Sequence, residues 1–272
     1  MHLALLQFHI HWEDNTQSIL RMRRHLERLQ AHAVDLVLFP EMSLTGFSMH
    51  TAITKEAHLE TVQLAQRLAE YYQTAIGIGW VKDCGARCEN HYSIVSASGV
   101  LLDYAKLHPF RYGGEDQFFL GGTALPTCTL CGFRIGTAIC YDLRFPEVFQ
   151  ALSQRADLIL IPANWPAARR MHWNCLLQAR AIETLSYVAG INCAGSIGEQ
   201  TYSGDSICYH PNGTPLPCEI LPGEPDCPEE RILLYHLEET PAAYRASFPV
   251  QQDRRPSLYA NCLLYTSTLP TT

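Results

Sequence analysis

The feature that most constrains the fold is the order of the predicted elements, in which short apolar segments alternate with amphipathic ones. Residues 2–8 and 34–39 are typical of strands, and the second run ends at Pro40, as expected for a strand buried on both faces. Between them, residues 14–16 can cap a helix whose apolar residues follow at helical spacing. Further strands are predicted at 75–81, 91–96, 100–104, 132–140, 158–162, 187–192, 204–209 and 231–237, and helices at 57–72, 146–153 and 172–183. This alternation, followed by hairpins, is typical of a layered α/β sandwich.

The composition is that of a soluble globular protein. Of the 272 residues, 47% are apolar and 17% are charged, which suits one large domain or two small ones. The formal net charge is -7 and no run of Lys or Arg appears, which argues against a nucleic-acid partner. Residues 1–8 lack the basic region of a signal peptide, and no stretch approaches the roughly 18 apolar residues of a spanning helix. We therefore expect a cytoplasmic protein that enters no membrane.

The eleven cysteines are most simply explained as reduced thiols. An odd count would leave at least one thiol unpaired in a secreted chain, whereas intracellular cysteines rarely form disulfides. The pairs Cys84/Cys88 and Cys128/Cys131 could together imitate a zinc site. The first pair is loosely spaced and no histidine completes either pair nearby, so we expect no bound metal.

Residues 132–140 form the strand that leads to the clearest candidate for a reactive group. Apolar residues such as Ile135 and Ile139 alternate with small or polar ones, as in a strand with one apolar face. The strand ends at Cys140, and a polar, charged turn follows at 141–146. A sharp turn after a strand can expose a thiol and hold it rigidly as a nucleophile. A small cysteine in the core would give the same pattern, so this segment alone leaves both interpretations open.

Two further ionisable residues follow apolar runs, as Cys140 does. Glu41 comes directly after the second predicted strand, and Lys106 comes after the strand that ends near Tyr104. Strand ends in layered α/β folds converge on ligand sites, so the three groups could share one site. Each residue also has an ordinary explanation: Glu41 as a helix-start acid, Lys106 as a surface lysine, and Glu115 as a turn carboxylate.

Three segments carry these residues, in this order along the chain: Phe-Pro-Glu-Met-Ser-Leu-Thr-Gly-Phe at 39–47, Tyr-Ala-Lys-Leu-His at 104–108 and Ala-Ile-Cys-Tyr-Asp-Leu-Arg-Phe-Pro-Glu at 138–147. They resemble the three signature segments of the nitrilase superfamily of carbon–nitrogen hydrolases. Further matching segments lie at 162–166, 179–183, 187–192, 203–206 and 253–256. The resemblance therefore extends from His2 to about Tyr259. Within the superfamily, the segments at 140–146 and 164–173 look most like the omega-amidase branch.

The resemblance implies an α/β fold, namely the four-layer α-β-β-α sandwich of this superfamily. It also implies a single carbon–nitrogen hydrolase domain over residues 1–272, in which roughly 238–272 form a C-terminal arm. Such proteins usually assemble as at least a dimer, so we expect a homodimer or a higher homo-oligomer. One departure is that Thr184 and Leu185 stand where relatives often carry Asn-Gln. This difference concerns local helix contacts or the subunit interface, not the nucleophile.

The resemblance also implies a role for each candidate residue. Cys140 is the expected nucleophile, Glu41 the general base and Lys106 a donor to the oxyanion. The backbone N–H of Tyr141 is the second donor, and Glu115 holds the lysine and the substrate in place. A free thiol has a pKa near 8.5, so a base that removes its proton during attack is needed. The reaction requires no metal and no organic cofactor.

The implied activity is hydrolysis of the terminal amide of a small 2-oxo acid, 2-oxoglutaramate or 2-oxosuccinamate. The products are the dicarboxylate and ammonia, released through a cysteine thioester. Alternatives in the same superfamily are a deaminated glutathione amidase, an N-carbamoyl amino acid amidohydrolase and a nitrilase. A non-catalytic binding protein would not need the four candidate residues together, and a zinc hydrolase lacks ligand histidines.

The carboxylate of such a substrate is well bound by a planar guanidinium. The arginines near matched segments are Arg111, Arg144, Arg169 and Arg170. We place Arg144 in the substrate pocket because it lies four residues after the nucleophile, although it could instead pair with Asp142 or Glu147. Trp165 and Phe110 are the expected walls of this pocket.

Overall fold

The computed structural model describes residues 1–266, of which 263–266 are described by their backbone alone. The strands are β1 (His2–Gln7), β2 (Leu36–Leu38), β3 (Lys55–Glu56), β4 (Ala75–Asp83), β5 (Cys88–Ser96), β6 (Gly99–Ala105), β7 (Phe119–Leu120), β8 (Thr127–Leu130), β9 (Phe133–Thr137), β10 (Leu158–Ala163), β11 (Tyr187–Asn192), β12 (Ala194–Ile197), β13 (Gln200–Ser203), β14 (Ile207–Tyr209), β15 (Glu219–Pro222) and β16 (Arg231–His236). The helices are α1 (Asn15–Leu29), α2 (Thr51–Thr54), α3 (Glu60–Tyr72), α4 (Pro146–Leu152), α5 (Arg170–Thr184), α6 (Ala242–Ser247) and α7 (Pro256–Thr266).

The strands form two sheets and a separate hairpin. The larger sheet has the order β15-β16-β1-β2-β4-β5-β6, with β3 paired to β4 and β7 paired to β5. The smaller sheet has the order β14-β11-β10-β9-β8, and β12 pairs with β13. Helices connect the parallel neighbours β1, β2 and β4 in one sheet and β9, β10 and β11 in the other. Parallel strands need such crossovers, which explains why β2 and β10 are apolar on both faces.

Alternation along the central strands produces the layers. Leu5 of β1 points into the space between the sheets, where it belongs to the same apolar cluster as Leu160 of β10. Its neighbour Leu6 points to the opposite side and belongs to the cluster that includes Met22 of α1. On the far side of the smaller sheet, Ile161 joins the cluster formed with α4 and α5. The order of layers is helix, sheet, sheet, helix, so the prediction of a four-layer α-β-β-α sandwich is confirmed.

The strand predicted at 132–140 is shorter than expected, and its end matters for the site. The ladder of β9 stops at Thr137, and Cys140–Arg144 is a turn of 3₁₀ helix. The N–H of Ile139 donates to the Asp142 carboxylate at 3.0 Å instead of to a neighbouring strand. The side chain of Asp142 therefore ends the strand and begins the turn.

The strand predicted at 204–209 is also shorter, for a backbone reason. Only Ile207–Tyr209 pairs with a neighbour. Gly204 has a φ of 70° and Asp205 a φ of 57°, and these left-handed conformations are incompatible with a continuous strand.

The segment after β16 packs against the end of α5. It contains α6 and α7 within the predicted arm, where no helix had been predicted from the sequence. Arg245 donates to the carbonyl of Leu185 at 2.9 Å, and Gln251 donates to the carbonyl of Thr184. The backbone carbonyls of Thr184 and Leu185 therefore accept hydrogen bonds from this segment. Residues 267–272 of the predicted arm lie outside the described residues.

A group of charges, the loop cluster, fixes the loop between β15 and β16 to α1; it consists of the buried Arg21, His25 and Glu230 and the exposed Asp226. Arg21 is 1% exposed, and its guanidinium donates to Glu230 at 2.9 Å and to Asp226 at 2.7 Å. His25 Nε2 lies 3.1 Å from Glu230 Oε1, outside good hydrogen-bond geometry. Glu230 also accepts two backbone N–H groups, at 2.8 and 2.9 Å. The carboxylate is thus fully bonded by the chain itself.

Within residues 1–266, no helix combines the length and the apolar character that crossing a bilayer would require.

Candidate active site

The residues predicted at strand ends meet at one edge of the sandwich, and they come from both sheets. Glu41 follows β2 and Lys106 follows β6 in the larger sheet, whereas Cys140 follows β9 in the smaller one. Lys106 Nζ lies 2.9 Å from Glu41 Oε1, and Lys106 and Cys140 line the same cavity. The fold therefore brings the three residues together from positions up to 99 apart in sequence.

Glu115 joins Glu41 and Lys106 in a second group of charges, the site cluster. Lys106 Nζ donates to Glu115 Oε2 at 2.9 Å and to Oε1 at 3.1 Å. The backbone N–H of Phe110 donates to the same carboxylate. All three charged side chains are at most 1% exposed. One ammonium is shared by two carboxylates, so the site cluster carries an excess of negative charge.

Two asparagines that the sequence did not point to hold Glu41 in place. Asn90 Nδ2 donates to Glu41 Oε1 at 2.8 Å and to Glu115 at 3.2 Å. The backbone N–H of Asn164 donates to Glu41 Oε2 at 2.9 Å, and its side chain donates to the Glu41 carbonyl at 2.6 Å. A polar residue within or directly after a buried strand was the available signal, because a buried amide requires partners.

The turn after β9 holds Cys140 in an unusual conformation. Its φ is 44°, a left-handed value that costs free energy for a residue with a Cβ and that persists only where the surroundings impose it. Asp142 braces the turn because its carboxylate accepts from the Tyr104 hydroxyl at 2.7 Å and from the His108 backbone at 3.0 Å. The partly exposed thiol is thereby fixed beside the carbonyl of Asn164, at 3.9 Å.

Burial and the excess negative charge shift the pKa values of this site. Burial raises the pKa of the Cys140 thiol well above its ordinary value, Glu41 adds to this effect, and Lys106 only partly opposes it. Burial also raises the pKa of Glu115, against the effect of Lys106. Burial disfavours the Lys106 ammonium, but the charges of Glu115 and Glu41 outweigh it and raise the pKa of Lys106. The resting site thus holds a neutral thiol beside a protonated lysine.

The backbone N–H of Tyr141 is available to a ligand. Tyr141 lines the same cavity as Cys140 and Lys106. This N–H forms no hydrogen bond with another residue in the part of the chain that the structure describes. Most backbone N–H groups in folded proteins have a partner, so an unbonded N–H at the cavity wall is a candidate donor to a bound oxygen.

The cavity above Cys140 has a volume of about 320 Å³, which is the small end of the range for ligand pockets. The predicted residues Phe110, Arg144 and Trp165 all line it, whereas Glu41 and Glu115 lie behind Lys106. The remaining walls come from Arg169, one of the four candidate arginines, and from residues that the sequence did not point to: Phe47, Tyr112, Gly113, Asn164, Pro166, Gln200 and Tyr202.

The four candidate arginines fall into two groups. Arg144 and Arg169 line the cavity. Arg170 forms a two-point ion pair with Asp205, and Arg111 is exposed beside Asp116, so neither faces the cavity.

The Arg144 guanidinium stacks on the ring of Trp165 at 4.8 Å and lies 3.3 Å from the ring nitrogen of His172. Neither Asp142 nor Glu147 pairs with it in the described part of the chain, so the alternative role of bracing the turn is not what the structure shows. Its charge faces the cavity without a carboxylate partner from residues 1–262.

Across the described residues, no group of three or more His, Cys, Asp or Glu side chains lies close enough together to hold a metal ion. All eleven cysteines are free thiols, including Cys84, Cys88, Cys128 and Cys131.

The fold and the site identify the class of protein. The chain belongs to the carbon-nitrogen hydrolase family, whose model matches residues 2–220. It is an enzyme of the hydrolase class that acts on carbon–nitrogen bonds other than peptide bonds.

Within this family the relatives of the chain include omega-amidases and 2-oxoglutaramate amidases. The chain is 34% identical to the omega-amidase YafV of Yersinia enterocolitica over 252 residues, which cover 92% of this chain and 95% of that protein. It is 29% identical to the 2-oxoglutaramate amidase of Bacillus subtilis over 265 residues, 94% of this chain and 98% of that protein. Among solved structures, a CN-hydrolase superfamily protein of Xanthomonas campestris with an arsenic adduct in its active site has a TM-score of 0.84. That protein is 30% identical, with 94% of this chain and 97% of that chain covered.

Proposed function

We propose that the protein is an amidase that hydrolyses the terminal amide of a small 2-oxo acid, 2-oxoglutaramate or 2-oxosuccinamate. The observation that carries the proposal is the Arg144 guanidinium, which faces the cavity of Cys140 without a carboxylate partner among the described residues. A guanidinium binds a carboxylate well, and the small cavity favours a short substrate. The relatives named omega-amidase and 2-oxoglutaramate amidase support the same choice.

In the first half of the proposed reaction, the sulfur of Cys140 attacks the amide carbon. Because the resting thiol is protonated, a base has to take its proton as the bond forms. Glu41 is the proposed base, and its carboxylate is fixed by Asn90, Lys106 and the backbone of Asn164. A rigidly held base loses little free energy in reorganising during proton transfer.

The attack places a negative charge on the amide oxygen. Lys106 and the backbone N–H of Tyr141 are the proposed donors to this oxyanion, and one such donor can contribute about 3–4 kcal/mol. Glu41 then returns the proton to the amide nitrogen, the carbon–nitrogen bond breaks, and ammonia leaves. The acyl group remains on Cys140 as a thioester.

In the second half, water attacks the thioester carbon while Glu41 accepts one of its protons. The carbon–sulfur bond breaks, the thiol regains its proton, and the dicarboxylate is released. Glu115 is proposed to act through Lys106, because its two oxygens hold the ammonium at 2.9 and 3.1 Å. No step requires a metal or an organic cofactor.

A substrate panel combined with one substitution tests the proposal. We expect ammonia release from 2-oxoglutaramate and 2-oxosuccinamate to exceed that from deaminated glutathione, N-carbamoyl amino acids and simple nitriles. Cys140→Ala should abolish turnover while the thermal unfolding curve stays unchanged, because the side chain is small and partly exposed. The control Cys175→Ala, which removes an exposed thiol, should retain turnover.

Two outcomes would contradict the proposal. Turnover retained by Cys140→Ala would reject this residue as the nucleophile. A preferred substrate without a short oxo-acid carboxylate would reject the omega-amidase assignment and would leave the other small amides of the superfamily.

We also propose that the chain is a single domain with a C-terminal arm, and that it acts as a cytoplasmic homodimer. The contacts of Arg245 and Gln251 with the end of α5 support a docked arm. The free thiols agree with a reducing compartment. Exposed apolar residues on α5 and the arm, such as Met171 and Phe248, agree with a covered face.

A further inference from the structure

Tyr202 is a cavity residue that the proposed reaction leaves without a role. It is 2% exposed, and it lines the cavity that holds Cys140. Its hydroxyl forms no hydrogen bond with another described residue. The hydroxyl oxygen is also absent from the fully buried polar atoms that lack a partner, so it keeps some accessible surface. The ring is therefore packed in the protein while the hydroxyl reaches the cavity, where a ligand can bond to it.

The hairpin of β12 and β13 places Tyr202 in the wall of the cavity that also contains Cys140. Tyr202 lies in β13, opposite Gly195 of β12, and β13 packs against the 3₁₀ turn Ala167–Arg169 that follows Trp165. Burial raises the pKa of the Tyr202 hydroxyl, the Glu41 carboxylate adds to this effect, and Arg169 opposes it. Tyr202 is thus a neutral phenol that shares the cavity with Cys140 and Arg169.

A 2-oxo acid amide has three groups of oxygen atoms that need partners in the cavity. The amide oxygen is assigned to Lys106 and the N–H of Tyr141, and the carboxylate to the guanidinium of Arg144. The 2-oxo oxygen lies between these two ends of the substrate. It is neutral and only accepts hydrogen bonds, so it suits a neutral donor better than a charged one. A buried hydroxyl that is left without a partner is costly, so a substrate that supplies an acceptor is favoured over one that does not.

We propose that Tyr202 is a specificity-determining residue whose hydroxyl donates a hydrogen bond to the 2-oxo oxygen of the substrate. This inference rests on the proposed function, because it assigns a hydrogen-bond donor to the 2-oxo group, which takes no part in the amidase reaction itself. Tyr202 then distinguishes 2-oxo acid amides from the corresponding acids without the oxo group. A site built to bond a polar group discriminates strongly against an analogue that lacks it.

The experiment compares two substrates of equal length and charge, 2-oxoglutaramate and glutaramate, in the wild-type protein and in Tyr202→Phe. Wild type should have a higher kcat/KM for 2-oxoglutaramate by at least about tenfold. Tyr202→Phe should lower kcat/KM for 2-oxoglutaramate by about tenfold or more and leave glutaramate unchanged, so that the ratio approaches one. Tyr209→Phe is the matched control, because Tyr209 is buried but lies outside the cavity, and it should preserve the wild-type ratio.

Each outcome has a distinct meaning. An equal loss on both substrates, or no loss on either, would overturn the role of Tyr202. If Tyr202→Phe does not fold, the wild-type ratio alone decides, and a ratio near one would reject recognition of the oxo group. A wild-type protein that hydrolyses neither substrate but cleaves another amide would instead reject the proposed function.

Discussion

The protein contains two groups of charges of similar composition, and they behave differently. In the loop cluster, Arg21 and His25 surround Glu230, and burial is outweighed by these neighbours, which lower the pKa of Glu230. In the site cluster, a single ammonium serves two carboxylates, and burial raises the pKa of Glu115. The direction of the carboxylate pKa shift therefore separates the two clusters, although Glu230 and Glu115 are both removed from water.

The difference follows from what lies beside each cluster. Every bond of Glu230 is made by the chain itself, so its charge fastens a loop to α1. The site cluster adjoins a thiol and an open cavity, and its excess negative charge favours taking up a proton. A buried ion pair stabilises a fold only when its charges are matched and fully bonded. A mismatch in charge is instead useful where protons must move.

The largest expected effect is on activity. Glu41→Gln keeps the size of the side chain and removes the base, so kcat on 2-oxoglutaramate should fall by about 10³-fold. The free energy of unfolding should change by no more than about 1 kcal/mol, because the substitution removes one of two like charges. Steady-state kinetics and denaturant unfolding measure the two quantities. A large loss of stability with Glu41→Gln would erase the distinction between the clusters.

The second prediction concerns the loop cluster. Glu230→Gln leaves Arg21 buried with too little negative charge, so the protein should lose about 3 kcal/mol of stability while the folded enzyme keeps its kcat/KM. Asp226→Asn is the matched control, because Asp226 bonds the same arginine but is 65% exposed. Its expected cost is about 0–1 kcal/mol. Equal costs for the two variants in urea unfolding would show that burial does not set the strength of this cluster.

The smallest expected effect is the pH dependence of that stability. Since the folded protein lowers the pKa of Glu230 below its ordinary value of 4.5, this residue stabilises the fold fully above that pH. The contribution is lost as the pH falls further, because protonation is less favourable in the folded state than in the unfolded one. The stability difference between wild type and Glu230→Gln should therefore shrink below about pH 4.5. A difference that grows on acidification would contradict the assigned direction.

The sequence predicted the parts of the molecule that depend on local pattern. Glu41, Lys106 and Cys140 each follow an apolar run, and strand ends in an α/β sandwich lie at a common edge. Asn90 and Tyr202 were missed because their roles depend on strand register and on the packing of a hairpin against another turn. The sequence shows a polar residue in an apolar strand at Asn90, but it does not show which residues Asn90 and Tyr202 contact.

The loop cluster was missed for a different reason. Arg21 and Glu230 are 209 positions apart, and each alone is typical of a solvated surface residue. Only the packing of the β15–β16 loop on α1 removes both from water. The helices of the C-terminal segment were missed because its scattered polar residues and prolines lack a clear helical period.

Glu41 and Cys140 follow strands of different sheets. The distance between the base and the thiol therefore depends on the apolar layer that separates those sheets. Leu5, Leu38 and Leu160 belong to that layer. Protein interiors are close-packed, so they transmit small displacements instead of absorbing them. These leucines therefore act as spacers for a proton transfer that none of them touches. The turnover rate of the enzyme therefore depends partly on the packing of side chains that carry no charge and form no hydrogen bond.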